Sequence, residues 1–296
     1  MPSRGEPAAL VSHIPRADGS AIYSHAGYTV TASANGPIEA QRRDEDPYEA
    51  LVDVIVRPAA GVGGTRERHL ESLLQATLRQ IILVKNFPRG LIQVVLQVKS
   101  SPENDYASTK LVQANLVRTT GFRIPIQSHS QTPSPSDSHP CVAGQQTYNF
   151  RQNLPIIPAL LQAAVLALLS AAIPLRATAT CTVIAVVAGS DGEAESNLIL
   201  DPSPREAEGA RSVHALAFTS GDRLILAESE GHFTMQEWAD VHAKALKICC
   251  EPVRDPGNND MDMGDDNSTD VEGPNMRHFI RETMAAKVSA DLHWKG

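Results

Sequence analysis

The spacing of apolar side chains divides the chain into predicted strands and helices. Apolar residues at every second position, or in short continuous runs, indicate strands, and apolar residues three and four positions apart indicate helices. The two patterns predict strands at 26–36, 48–57, 91–98, 177–188, 198–200, 213–218 and 223–227, and helices at 65–84, 159–173, 234–250 and 276–292. Because strands and helices do not alternate regularly, we expect an α+β fold in which a mixed sheet is packed with helices.

Local signals predict where some of these elements begin and end. Gly36-Pro37 is expected to end the first strand, because proline cannot donate to a strand ladder. Gly221-Asp222 is typical of a turn and predicts a hairpin between the last two strands. Thr65 is the expected N-cap of the first helix, although Arg68 stands where a glutamate would complete a capping box.

The longest apolar segment, 154–175, contains no charged residue. Its length would suit a membrane span, but Pro155, Pro158 and Pro174 leave only 159–173 uninterrupted. That stretch is short of the roughly 20 residues that cross a bilayer. Its many alanines favour close packing between other elements. We therefore expect a helix buried in the core, and no contact with a membrane.

Composition divides the chain into a central domain with flanking segments. Residues 1–15 are expected to be a flexible N-terminus, and 16–252 to form the main domain. Within that domain, a loop insertion rich in serine, proline and histidine is expected at 99–153. The acidic stretch 253–275 is predicted to be a disordered linker. It leads to a detachable C-terminal helix at 276–296.

The charge of the chain limits how it can bind nucleic acid. The formal net charge is −8, whereas a domain that binds nucleic acid by itself usually carries a basic surface, because cations must neutralise the phosphates. Any RNA contact is therefore expected at a few local side chains. The candidates are Arg66 and Arg68, beside a glycine loop at a helix start, and Arg89, after the end of that helix. The alternative for all three is a solvated surface with ion pairs.

The histidines and cysteines predict no metal site and no cofactor. The 10 histidines are scattered, and the 4 cysteines form neither a CxxC pair nor a zinc-like cluster with histidine. His69, His214 and His242 are interpreted as surface or packing residues, and Trp238 as a core residue.

Several short motifs follow one another in a specific order. They are Arg16-Ala17-Asp18-Gly19, Gly27-Tyr28-Thr29-Val30, Gly36-Pro37-Ile38-Glu39, Asp53-Val54-Ile55-Val56-Arg57-Pro58, the alanine-rich stretch 163–176 and Leu200-Asp201-Pro202. Each motif is weak alone, but their order and spacing resemble those of the RNase PH family. Arg16-Ala17-Asp18-Gly19 together with Gly36-Pro37-Ile38-Glu39 resembles one type of ring subunit of the eukaryotic RNA exosome. The likeness covers about 16–250, apart from the insertion.

The resemblance implies an RNase PH-like fold, of the ribosomal protein S5 domain 2-like class. It also implies that the chain joins other RNase PH-like exosome subunits in a hetero-hexameric ring. Cap subunits and catalytic exosome nucleases are further implied partners, with RNA passing through the shared channel. The expected roles are rRNA processing and the decay of mRNA and noncoding RNA. The expected locations are the nucleus and nucleolus, and also the cytoplasm.

The groups on which catalysis depends in this family are replaced. The resemblance implies that active members hold phosphate with an arginine and a Gly-Thr-Arg loop, and use carboxylates to bind metal or move a proton. Here Lys99-Ser100 follows the strand where that loop belongs, and Ser203 and Ala207 lie where the acids belong. Gly64-Thr65-Arg66 precedes a different helix and is interpreted as a coincidence. The prediction is a non-catalytic structural subunit without catalytic residues.

Two enzymatic alternatives remain open. An active phosphorolytic 3′-to-5′ exoribonuclease would need carboxylates from Glu206 or Glu208, which are otherwise interpreted as solvated charges. A metal-dependent nuclease would need a cation site, for which the acidic stretch 255–270 is a weak candidate. Asp201 is interpreted as a turn former before Pro202.

Overall fold

The computed structural model describes residues 7–102, 153–187, 197–250 and 275–293. The strands are β1 (Ala8–Val11), β2 (Gly19–His25), β3 (Tyr28–Glu39), β4 (Leu51–Arg57), β5 (Gly90–Ser100), β6 (Ala179–Val187), β7 (Asn197–Leu200), β8 (Ser212–Thr219) and β9 (Leu224–Gly231). The α-helices are α1 (Thr65–Ile81), α2 (Ile157–Ser170), α3 (Pro204–Gly209), α4 (Met235–Cys250) and α5 (Met276–Asp291). Nearly all of the predicted insertion and linker lies outside the described residues.

The strands form two sheets. The first has five strands in the order β1-β2-β3-β5-β4, in which β4 is parallel to β5 and the other pairs are antiparallel. The second has four antiparallel strands in the order β7-β6-β8-β9. The predicted α+β class, with a mixed sheet and packed helices, is confirmed.

Helix α2 lies between the two sheets. It contacts β2 and β3 on one side and β6 on the other. Its residues from Ile157 to Leu168 are all buried, as the uncharged segment predicted. The backbones approach so closely that a Cβ atom on Gly19 would lie 2.3 Å from the carbonyl oxygen of Ala167. None of the helices in the described ranges is long and apolar enough to cross a membrane.

Helix α1 packs on strand β4, on the face of the first sheet that also contacts α2. Its buried leucines join the core that includes the inward side chains of β4. Two polar residues of α1 also form hydrogen bonds with backbone groups on the outer edge of β4. Glu71 accepts from the Val56 amide at 2.9 Å, and the Gln75 amide donates to the Val52 carbonyl at 2.7 Å. The helix therefore satisfies backbone groups that an edge strand would otherwise expose.

Helix α4 covers the far face of the second sheet. The apolar residues there are Ile184, Val186, Leu216, Phe218, Val241, Ala245, Cys249 and Cys250. On this helix Val241 and Ile248 are buried, whereas Met235, its first residue, is 82% exposed.

The first strands differ most from the sequence prediction. Strand β1 lies within 1–15, which was expected to be flexible, and pairs with β2, which was not predicted. Strand β3 does not end at Gly36-Pro37 but continues to Glu39 after a register shift. Gly36 has φ +139°, and a Cβ atom there would lie 2.7 Å from the Leu91 carbonyl oxygen. A glycine at this position permits the shift and does not terminate the strand.

Helix α5 is joined to the domain by its first two turns. Met276 and Ile280 are 4% exposed and belong to the main core. Arg277 donates to the carbonyl oxygens of Thr219 and Cys250, and forms an ion pair with Asp222 at 2.8 Å. The expectation of a detachable helix is therefore wrong for these two turns.

The buried His214 predicts a pH-dependent stability. Its ring nitrogens bond the hydroxyls of Ser212 and Ser229 at 3.0 and 2.8 Å. Burial lowers the pKa of His214 below its ordinary value of 6.5, partly opposed by the charge of Glu237. The unfolded chain thus binds a proton more readily, and this contribution to stability is lost as the pH falls below about 6.5.

We expect the urea midpoint of wild type to fall between pH 7.5 and pH 5. The fall should be smaller in His214→Gln, which cannot titrate. Equal pH slopes for the two proteins would contradict this assignment.

Candidate functional site

The two sheets are linked at the N-terminal end of α2 by a hydrogen-bonded pair of side chains. His25 is the last residue of β2, and Asp201 directly follows β7. The His25 Nε2 and Asp201 Oδ2 atoms are 3.0 Å apart, and the two side chains are 12% and 19% exposed. Asp201 has φ +47°, as a turn residue often does. Its interpretation as a turn former is thus incomplete, because its carboxylate also holds His25.

A small cavity lies beside this pair. It is lined mainly by His25, Tyr28, Pro155, Pro158 and Asp201. Its volume is about 10 Å³, which is close to the space that one water molecule needs. A phosphate group is much larger than a water molecule. The cavity beside the His25–Asp201 pair is therefore too small for a phosphate group.

The positions expected to carry catalytic acids have structural roles. Ser203 is the N-cap of α3: its hydroxyl accepts from the Glu206 amide at 3.3 Å, and the Glu206 carboxylate accepts from the Ser203 amide at 2.8 Å. This reciprocal arrangement is a capping box. Ala207 is 1% exposed and packs in the core. The carboxylate of Glu206, an alternative catalytic acid, therefore caps the helix.

The Gly64-Thr65-Arg66 triplet begins helix α1. The N-cap is Gly64, one residue earlier than predicted, which makes Glu67 the third helical residue. The Gly64 amide donates to the Glu67 carboxylate at 2.7 Å. The capping glutamate that seemed to be missing is thus present. It places a negative charge at the helix N-terminus, where a bound phosphate would otherwise be favoured.

Two of the three predicted RNA-contacting arginines lie at the start of α1. Arg66 and Arg68 are both exposed, and Arg68 forms an ion pair with Glu71 at 3.1 Å. Burial raises the pKa of Tyr28 to about 12, and the charge of Arg66 partly opposes that rise. Tyr28 lies beside the His25–Asp201 pair, because it lines the same cavity.

Further cations lie at this end of the first sheet. Arg57 ends β4 opposite Gln97 of β5, and Lys99 follows two residues later in β5. Both side chains are exposed. Sequence reasoning did not select them, because their proximity depends on the parallel pairing of two strands that are distant in sequence.

Arg89 lies at the opposite end of the sheet. It immediately precedes β5, an 11-residue strand, so it is about 30 Å from Lys99 along the strand direction. Its guanidinium forms an ion pair with Glu45 at 3.1 Å. The three predicted arginines therefore do not form one patch.

Two carboxylates of this region make contacts within the chain. Asp201 is paired with His25, and Glu206 caps its own helix. Within 7–102, 153–187, 197–250 and 275–293, no three His, Cys, Asp or Glu side chains are grouped so that they could hold a metal ion. The exposed cations at the start of α1 suit the binding of phosphates on a surface.

Comparison with known sequences and structures identifies relatives. The profile of the 3′ exoribonuclease family, domain 1 (RNase PH), matches residues 9–174. Exosome complex component RRP46 of Saccharomyces cerevisiae is 27% identical over 250 residues, which cover 82% of this chain and 89% of that protein. Exosome complex component rrp46 of Schizosaccharomyces pombe is 36% identical over 85 residues, 29% of this chain and 38% of that protein.

A solved structure shares the fold. The crystal structure of rice (Oryza sativa) Rrp46 matches with a TM-score of 0.58 and 22% sequence identity. The match covers 81% of this chain and 87% of that chain. The predicted RNase PH-like architecture is therefore confirmed.

The pairing of His25 with Asp201 can be tested by two substitutions of Asp201. Asp201→Ala removes the hydrogen-bond acceptor and places alanine at a positive φ, so we expect a loss of about 1–3 kcal/mol in the free energy of unfolding. Asp201→Asn keeps an acceptor and tolerates this φ, so the loss should be smaller. Urea unfolding of both variants measures the difference. Equal losses would contradict a role for the pair.

Proposed function

Because the chain belongs to the 3′ exoribonuclease (RNase PH) family, we propose that it is a non-catalytic ring subunit of the RNA exosome. It supports 3′-to-5′ RNA processing and degradation through assembly with other subunits and through contact with RNA in their channel. The similarity to proteins named exosome complex component RRP46, over 82% of this chain for the yeast relative, supports this assignment.

The observation that carries the non-catalytic part of the proposal is the pairing of Asp201 with His25. Among the described residues, Asp201 is the carboxylate that lines the small cavity, and a catalytic acid or base must reach the substrate to exchange a proton. The neighbouring Ser203 and Ala207 offer no acid, and Glu206 caps α3. These contacts stabilise the scaffold in the region that is used for chemistry in active members.

The sheet edges support assembly with neighbouring chains. Strand β4 is bonded by α1, and Lys244 donates to the Leu198 carbonyl of the edge strand β7 at 2.9 Å. Strand β1, at the other edge of the first sheet, presents an apolar side chain to solvent, because Leu10 is 58% exposed. We propose that other RNase PH-family subunits contact such surfaces in a hetero-hexameric ring. Cap subunits and catalytic nucleases then join the ring, in the nucleus, nucleolus and cytoplasm.

The contact with RNA is assigned to the start of α1. Arg66 and Arg68 lie there, near the exposed Arg57 and Lys99. Local cations of this kind are sufficient for a shared channel, in which several subunits contribute charge. Arg89 is assigned no part in this surface, because it lies at the other end of β5 and pairs with Glu45.

Size-exclusion chromatography tests the assembly. The chain alone is expected to self-associate, because part of its interface is exposed. Co-expression with an RNase PH-family exosome subunit from the same organism should give a defined complex with equal amounts of the two chains. A stable monomer that does not bind its co-expressed partner would count against the proposal.

The arginine assignment predicts unequal effects of substitution within the assembled ring. Arg66→Ala/Arg68→Ala should weaken binding of single-stranded RNA and reduce the slope of log affinity against log salt by about 1–2, because up to two phosphate contacts are lost. Arg89→Ala is the matched control and should leave the slope unchanged. Fluorescence anisotropy over a range of salt concentrations measures both, and equal slopes for all three proteins would refute the assignment.

A further inference from the structure

A pocket of about 290 Å³ lies between the first turns of α1, the start of α2 and strand β9. Its apolar floor is formed by Leu70, Leu154 and Ile157, which are at most 7% exposed. Two carboxylates, those of Glu228 and Glu230, also line it. Neither glutamate belongs to the region around Asp201.

The strand register fixes the direction of the two glutamates. Glu228 pairs with Ala215 of β8, and Glu230 pairs with Val213. Ala215 and Val213 are fully buried in the core that contains α2. Because directly paired residues project from the same face of a sheet, both glutamates project towards the side on which α2 lies. Their partners on β8 are apolar, and the rest of the polar lining of the pocket comes from His69, Asn153 and Ser229.

Inward-pointing charges on an edge strand have one general use, which is to prevent unwanted pairing between sheets. Preventing such pairing does not require a pocket beside the charged side chains. Here the two half-buried glutamates border an open pocket with an apolar floor. The combination matches the chemistry of a long basic side chain, whose methylene groups pack on apolar surface while its cationic head meets carboxylates. The same carboxylates would repel the phosphates of RNA.

We propose that this pocket receives a lysine or arginine side chain from the adjacent RNase PH-family subunit of the ring. The inference rests on the proposed function and adds the chemistry of the partner surface. We infer a basic side chain because its positive charge complements the two carboxylates. Partial burial of the glutamates reduces screening by water, so the attraction is stronger than at an open surface.

The test compares three forms of the full chain, each co-expressed with the neighbouring RNase PH-family subunits. They are wild type, Glu228→Gln/Glu230→Gln, and the control Glu39→Gln/Glu282→Gln, which makes the same change in net charge at exposed positions. The dissociation constant of each complex is measured at low and high salt. We expect the pocket variant to bind about tenfold more weakly at low salt. Its affinity should also depend less on salt, while the control matches wild type.

Three outcomes separate the possibilities. If wild type itself does not assemble, the proposed function fails. If wild type assembles and the pocket variant does so with the same affinity and salt dependence, the pocket assignment fails and the glutamates only protect the strand edge. Should the double variant fold poorly in a thermal melt, Glu228→Gln and Glu230→Gln are compared singly. Each is expected to weaken assembly about threefold, and an unchanged affinity for both would overturn the inference.

Discussion

The burial of helix α2 between two sheets is the constraint on which the rest of the structure depends. A helix that is apolar on all sides must be covered on all sides, and here β2 and β3 cover one side while β6 covers another. The close approach at Gly19 fixes the distance between the helix and the first sheet. The ends of β2 and β7 are thereby brought together at the N-terminal end of α2, where His25 meets Asp201.

The same constraint can hold this scaffold together whether or not the site is catalytic. Nothing in the packing of α2 requires a phosphate site or catalytic acids. The small cavity at its N-terminal end is lined by the His25–Asp201 pair and by Pro155 and Pro158, and helix α3 uses Ser203 and Glu206 to cap itself. Ser203 and Glu206 therefore stabilise the helix that they cap. The proposed contacts with RNA and with neighbouring chains use the outer surfaces, at the cations near α1 and the pocket beside β9.

The sequence predicts best what is encoded by local periodicity. The buried α2, strand β5 and the Gly221-Asp222 hairpin follow from apolar runs and turn residues, and the structure has all three. Strands β1 and β2 were missed because they are short or rich in small polar residues, and they become strands through pairing. The His25–Asp201 pair joins residues that are 176 positions apart on different sheets, so no local pattern signals it. Arg89 was grouped with Arg66 and Arg68 for a related reason, because a sequence does not show which end of a sheet a loop occupies.

The most direct test of the central claim is the decay of 5′-labelled RNA by the purified chain, with and without inorganic phosphate. The structure predicts no phosphate-stimulated shortening, and no difference between wild type and Glu206→Ala/Glu208→Ala. Phosphate-dependent shortening by wild type that is lost in the double variant would contradict the account, because it would show that these glutamates act on RNA.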